Sequence, residues 1–208
     1  MLTMIVLSSV GLAEQSEDWG TQPFLRPQAG LSSWSSSSGQ TSTALNLGAQ
    51  AGLRFWQKQQ KRPRIQGLTR AAGTYLLSGA TGIDLRVGAF AGPAWDKIRL
   101  QTGPDLYWNQ YNWGGETLPS TLGLAWPVQA MTTVKGVSLT AGVQPAFFLQ
   151  SERASVDWSQ ESIPGIGDEC TYFAAAGLSL SSLRLNVSLS QTVTAYGSQR
   201  GIGFGVRL

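Results

Sequence analysis

From Leu45 to Phe55 the chain alternates without interruption. Leu45, Leu47, Ala49, Ala51, Leu53 and Phe55 fall on one parity, and Asn46, Gly48, Gln50, Gly52 and Arg54 on the other. Successive side chains of an extended strand point to opposite faces, so a period of two predicts a strand with one greasy and one polar face. The pattern recurs along the chain. Ile83, Leu85, Val87 and Ala89 alternate with Asp84, Arg86 and Gly88, and Leu122, Leu124, Trp126 and Val128 with Thr121, Gly123, Ala125 and Gln129. Val137, Leu139, Ala141 and Val143 alternate with Ser138, Thr140, Gly142 and Gln144, and Leu183, Leu185, Val187 and Leu189 with Arg184, Asn186, Ser188 and Ser190. A helical period of 3.6 is nearly absent.

Turn-forming residues divide these runs: Ser38-Gly39, Lys58–Arg64, Ser78-Gly79 to Gly82, Gly92-Pro93, Gly114-Gly115, Lys135-Gly136, Ser181-Ser182 and Gly197-Ser198. The division predicts about ten strands, at 24–37, 43–56, 65–78, 82–91, 94–108, 118–131, 136–150, 171–181, 183–196 and 200–208. Pro104 and Pro127 are expected to interrupt the ladder locally, so eight or twelve strands stay open at this point. Many of the runs span about 9–14 residues, longer than the usual soluble strand and long enough for a tilted strand to cross a bilayer. An even number of strands puts both termini on one side. Gly92-Pro93, Thr132–Lys135 and Ser181-Ser182 then fall on that side, and the longer Asn109–Glu116 and Ser151–Cys170 on the other. Short turns on one rim and long loops on the other are what a bacterial membrane barrel shows. Gln57–Arg64 is the exception, a longer basic connection on the short-turn side.

Alternation does not say which face is inside. A lipocalin-like soluble barrel would enclose the greasy face, and a membrane barrel would turn it to lipid. On the apolar parity of these runs there is no Asp, Glu, Lys or Arg, as the cost of a charge in hydrocarbon requires, although the core of a soluble barrel would exclude charge as well. The other parity is Gly, Ser, Thr, Asn and Gln with single arginines, rather than the mixed Lys and Glu of a water-facing sheet. Small polar residues suit the crowded lumen of a narrow barrel. The reading is therefore an all-β, antiparallel up-and-down transmembrane β-barrel with the greasy face outward. Its expected lumen-lining charges are Arg54, Arg70, Asp84, Arg86, Lys97, Arg99, Asp105, Arg184 and Arg207. Trp56 and Trp95 are expected near one interface, and Tyr75, Trp108, Phe147, Tyr172 and Tyr196 near the other, as two aromatic girdles.

Composition sharpens this. Charged residues make up 13% of the 208, about half of what a soluble domain carries. The net charge of +3 is spread over isolated arginines, without the basic stripe of a nucleic-acid binder. There is no His, which removes Ser-His-Asp and Cys-His catalysis and His-ligated metal. The single Cys170 forms no internal disulfide and no thiolate cage, so no cofactor or metal is expected. Residues 1–13, MLTMIVLSSVGLA, end in small residues at the positions a signal peptidase reads and lack the basic n-region of a complete signal peptide. The expected organisation is a signal peptide at 1–13, a periplasmic segment at 14–23 and the barrel at 24–208.

The last strand, with Ile202, Phe204, Val206 and Leu208 alternating with Gly201, Gly203, Gly205 and Arg207, resembles the β-signal of bacterial outer-membrane proteins. That signal usually ends in an aromatic residue, where this chain has Leu. The resemblance implies insertion by the outer-membrane assembly machinery, with outer-membrane lipids and lipopolysaccharide as surroundings.

The expected role is structural, a narrow channel, or part of an envelope assembly, without catalysis. Seven basic against two acidic lumen residues would favour anions in an open lumen. The preferred reading of the same arginines and aspartates is a hydrogen-bonded plug that fills the interior and conducts little. A lipid-modifying enzyme is the alternative, through Ser-Lys or paired-carboxylate chemistry. Glu152, Asp157, Glu161, Asp168 and Glu169 crowd the long loop, where solvation or bridging cations account for them equally well. Lys58, Lys61, Arg62 and Arg64 around Pro63 offer a docking segment for another envelope protein.

Overall fold

A computed structural model describes residues 18–36, 41–58, 63–78, 80–113, 116–117, 120–151, 169–180, 183–194 and 197–207. Eight strands run the height of the wall: β1 (Trp19–Ser36), β2 (Thr41–Gln57), β3 (Arg64–Ser78), β4 (Ala80–Ala94), β10 (Val137–Ser151), β11 (Glu169–Leu180), β12 (Leu183–Thr194) and β13 (Gly197–Arg207). Two further staves are each built from two pieces, β5 (Ile98–Thr102) with β6 (Asp105–Trp113), and β8 (Thr121–Ala125) with β9 (Val128–Val134). The two-residue β7 (Glu116–Thr117) pairs with the end of β6. All pairings are antiparallel, and β13 pairs back onto β1 from Gln28↔Arg207 to Ser36↔Gln199. The result is a closed ten-stave ring. Closure gives each stave a neighbour on both sides, so backbone groups in the wall are paired within it.

The two breaks lie side by side. Gly103-Pro104 separates β5 from β6, and Trp126-Pro127 separates β8 from β9. Register survives both. Thr102 pairs with Val128 and Asp105 with Ala125, leaving two residues on each stave between these pairs. Pro145 on β10 lies at the same height, its carbonyl accepting from Trp126 N at 2.8 Å, while the Pro104 carbonyl accepts from Ala89 N at 3.0 Å. Proline has no N–H to give a ladder, so three of them at one height account for the interruption without an inserted residue.

Several boundaries differ from the sequence expectation. β1 begins at Trp19, so residues 19–23 pair with β2 in the wall, although the expected strand began at 24. The fifth stave reaches Trp113 and β4 continues through Gly92-Pro93 to Ala94, with the turn at 95–97. Gly92 is not there to turn the chain. A Cβ at that position would collide with the Leu100 carbonyl of β5, so its small size serves close strand approach. The true turn is closed by Trp95 N donating to the Ile98 carbonyl at 2.8 Å.

Candidate functional site

The greasy parity faces outward. Leu25 is 73% exposed, Val87 61%, Leu149 58% and Leu189 56%, and they belong to a belt that includes Leu47, Leu85, Leu139 and Phe204. Within that belt no described residue is charged. Arg200 shares the outward parity but sits at the rim where β13 begins. A continuous apolar exterior on a closed barrel is the arrangement that hydrocarbon favours and water does not. The polar, arginine-bearing interior also rules out the lipocalin-like alternative, whose interior would be greasy.

Aromatic placement follows the expectation in part. Trp95 is exposed at the rim bearing the termini, joined by the Trp19–Phe55 pair with ring centroids 6.1 Å apart. Tyr75, Phe147 and Tyr172 are exposed toward the opposite rim. Trp56 does not join a girdle. It shares the parity of Arg54 and lines the lumen, lying over Gly20 on the paired strand. Trp108 is half-buried. Tyr196 lies outside the described residues.

Inside, one wall is packed and the other is hollow. On the packed side Asp105 is fully buried and accepts from Arg70 Nη2 at 2.7 Å, with Arg86 Nη1 at 3.6 Å. Arg86 also donates to Asp84, Nε to Oδ1 at 2.9 Å and Nη2 to Oδ2 at 3.3 Å. The niche for Asp105 is made by small residues directly across the ladder, Gly88 and Ala125, with Ala146 one strand further on. Arg70 stacks over the Phe90 ring at 4.8 Å and Arg86 over Tyr107 at 5.5 Å, and both rings are buried. Tyr107 in turn lies over Gly123, its partner on β8, where any side chain would occupy the ring's place. Glycine on the lumen parity thus makes room for an aromatic neighbour.

The hollow side encloses a cavity of about 950 Å³. Its cationic lining is Arg26, Arg54, Arg70, Lys97, Arg99 and Arg184, against the one carboxylate of Asp96. Neutral hydrogen-bonding groups complete it. Gln129 Nε2 donates to Gln101 Oε1 at 3.3 Å, Gln28 Nε2 to Thr74 Oγ1 at 3.4 Å, and Asn46 to Ser32. Arg26 and Arg54 both stack on Phe24, at 5.1 and 5.4 Å. Such a space attracts anions and repels cations.

Of the nine charges expected in the lumen, Arg54, Arg70, Lys97, Arg99 and Arg184 line the cavity, and Asp84, Arg86 and Asp105 form the packed cluster. The backbone of Arg207 pairs with Gln28 and Arg184. Arg26 and Asp96 are additional lining charges. The signal for Arg26 was present, since Phe24, Arg26, Gln28 and Gly30 alternate with Pro23, Leu25, Pro27 and Ala29, but the prolines disguise a strand.

In the terminal strand Ile202, Phe204 and Val206 project outward on β13, and Leu208 lies outside the described residues. Glu152, Asp157, Glu161 and Asp168 of the long loop, and Lys61 and Arg62 of the basic connection, are also outside them, whereas Glu169 opens β11, Arg64 opens β3 and Lys58 is exposed just after β2. Among the described residues no cluster of three carboxylate or thiol groups is placed to hold a metal ion.

No protein family matches the chain. No curated protein sequence matches it either. Solved structures do resemble it. The β-domain of the Bordetella autotransporter BrkA is similar over 89% of this chain and 98% of that one, at 16% identity and TM-score 0.48. Neisserial surface protein A is similar over 91% and 98%, at 12% identity and TM-score 0.37. The translocator domain of the autotransporter NalP from Neisseria meningitidis is similar over 91% and 88%, at 10% identity and TM-score 0.40.

Proposed function

We propose that the chain is a bacterial outer-membrane β-barrel with a non-catalytic role. The observation that carries this reading is the outward belt of large apolar side chains on a closed barrel whose interior is lined by Arg26, Arg54, Arg70, Arg99 and Arg184. Strands that close on themselves cross hydrocarbon without exposing unpaired backbone, and the belt supplies the matching surface. Envelope fractionation followed by electrophoresis of boiled and unboiled samples tests it. A folded membrane barrel pellets with the outer membrane and migrates differently before and after boiling. A protein that is soluble and folded without detergent overturns the reading.

Within that role the lumen favours a narrow anion-preferring channel over a wholly plugged barrel, because only one side of the interior is filled by the Arg70–Asp105–Arg86 cluster. The lumen carboxylates Asp84 and Asp105 are engaged by arginine, which leaves them poorly suited to general-base work and speaks against the lipid-modifying alternative. Planar-bilayer recordings under a salt gradient are expected to show small conductance steps with a reversal potential of anion sign. Absence of current above leak overturns the channel. Mass spectrometry of lipid A with and without the protein checks the alternative, and no change is expected.

A further inference from the structure

We propose that Arg54, Arg99 and Arg184 form a ring that binds a multivalent oxyanion inside the lumen, of the class to which inorganic phosphate belongs. The proposal rests on the reading of the chain as a barrel with an accessible lumen. The three residues come from β2, β5 and β12. Around the closed ring, β2 and β5 are three staves apart, β12 and β2 three, and β5 and β12 four. The three staves are thus spaced almost evenly around the ring, and the three side chains line one cavity. Arg99 and Arg184 both act electrostatically on Arg54 across that space.

Like charges converging in a confined cavity repel, and an anion placed among them converts repulsion into attraction. The ion pairs between described residues engage Arg70 and Arg86 with Asp84 and Asp105, and none engages the three ring arginines. Two of the three are nonetheless oriented. Arg54 stacks on Phe24 at 5.4 Å, and Arg184 donates to Ser138. A planar guanidinium presents its N–H groups as a fork suited to the oxygens of phosphate or carboxylate, and several such forks favour an ion with more than one negative charge. The surplus of cations in the lining points the same way.

The test is calorimetric titration of the full chain, folded in non-ionic detergent micelles, with inorganic phosphate as dianion at low salt. Saturable binding is expected, weakening as salt is added. The single variant R99Q should weaken it about tenfold, the effect of one lost charge-assisted contact. R54Q/R99Q/R184Q should abolish it, and R200Q, removing a rim charge outside the lumen, should leave it unchanged. Arg99 is an exposed side chain, so R99Q keeps the test decisive if the triple variant fails to fold. Absence of saturable binding to a barrel that shows the boiling-dependent gel shift overturns the ring while the membrane reading stands. So does equal binding by R99Q, or equal loss in R200Q. Absence of the gel shift itself counts against the membrane reading instead.

Discussion

The carboxylate of Asp105, with none of its surface exposed, accepts a 2.7 Å hydrogen bond from Arg70 over Gly88 of the intervening strand β4. The two residues sit on β6 and β3, and Arg86 approaches the same Oδ2 at 3.6 Å. One buried anion thus serves two cations, and its loss leaves both without it. Asp105→Asn is expected to destabilise the barrel by about 3 kcal/mol, because a broken buried pair leaves an uncompensated charge. R70M/D105L, removing charge from both sides, should recover much of the loss. Urea titrations of protein folded into lipid vesicles would measure both.

The space around that carboxylate depends on Gly88. A Cβ there would lie 2.6 Å from Asp105 Oδ1 and 2.7 Å from Phe90 Cζ. Gly88→Ala should therefore cost about 1–3 kcal/mol through overpacking. Gly205, whose Cβ would meet only the Ala29 carbonyl at 3.5 Å, provides the contrast. Gly205→Ala is expected to stay within about 0.5 kcal/mol of the parent in the same titration.

The lipid-facing belt gives a depth-dependent prediction. Val87 is 61% exposed near the middle of β4, and Trp95 follows that strand at the rim. Val87→Arg should cost about 2–4 kcal/mol on folding into vesicles, and Trp95→Arg about 0–1 kcal/mol. Equal costs would mean that the belt does not meet hydrocarbon.

Much of the wall was legible because strand parity is a local property. The runs around Leu47, Val87, Leu139 and Val187 each announce which residues face out, and the structure exposes these four as expected. The interior was legible only as a set of charges. Nothing local states that Asp105 meets Arg70 across 35 residues, or that Gly88 and Ala125 hollow out its niche, since those contacts depend on register between strands. Trp56 misleads for a related reason. Aromatic residues near strand ends suggest a girdle, but its even position places it with Arg54 inside. The near-even spacing of Arg54, Arg99 and Arg184 emerges only when β13 closes on β1 and the staves are counted around the ring.

The β9–β10 hairpin turns on Lys135, at φ 48°, and Gly136, at φ 81°. Two positive φ angles in a two-residue loop match a type I′ turn, whose twist suits the flanking strands. Glycine adopts that geometry freely, whereas lysine bears a steric cost there that asparagine tolerates better. Lys135→Asn is expected to raise stability by up to about 1 kcal/mol. A fall in the urea midpoint would contradict the turn geometry.

Pro104, Pro127 and Pro145 share one height on three adjacent staves. The backbone ladder is thinnest along this line, because proline has no N–H to donate. Asp105 follows directly at its edge, and its carboxylate holds Arg70 and Arg86. The Arg70–Asp105 pair thus ties β3 to β6 beside the line where three prolines withhold an N–H from the ladder.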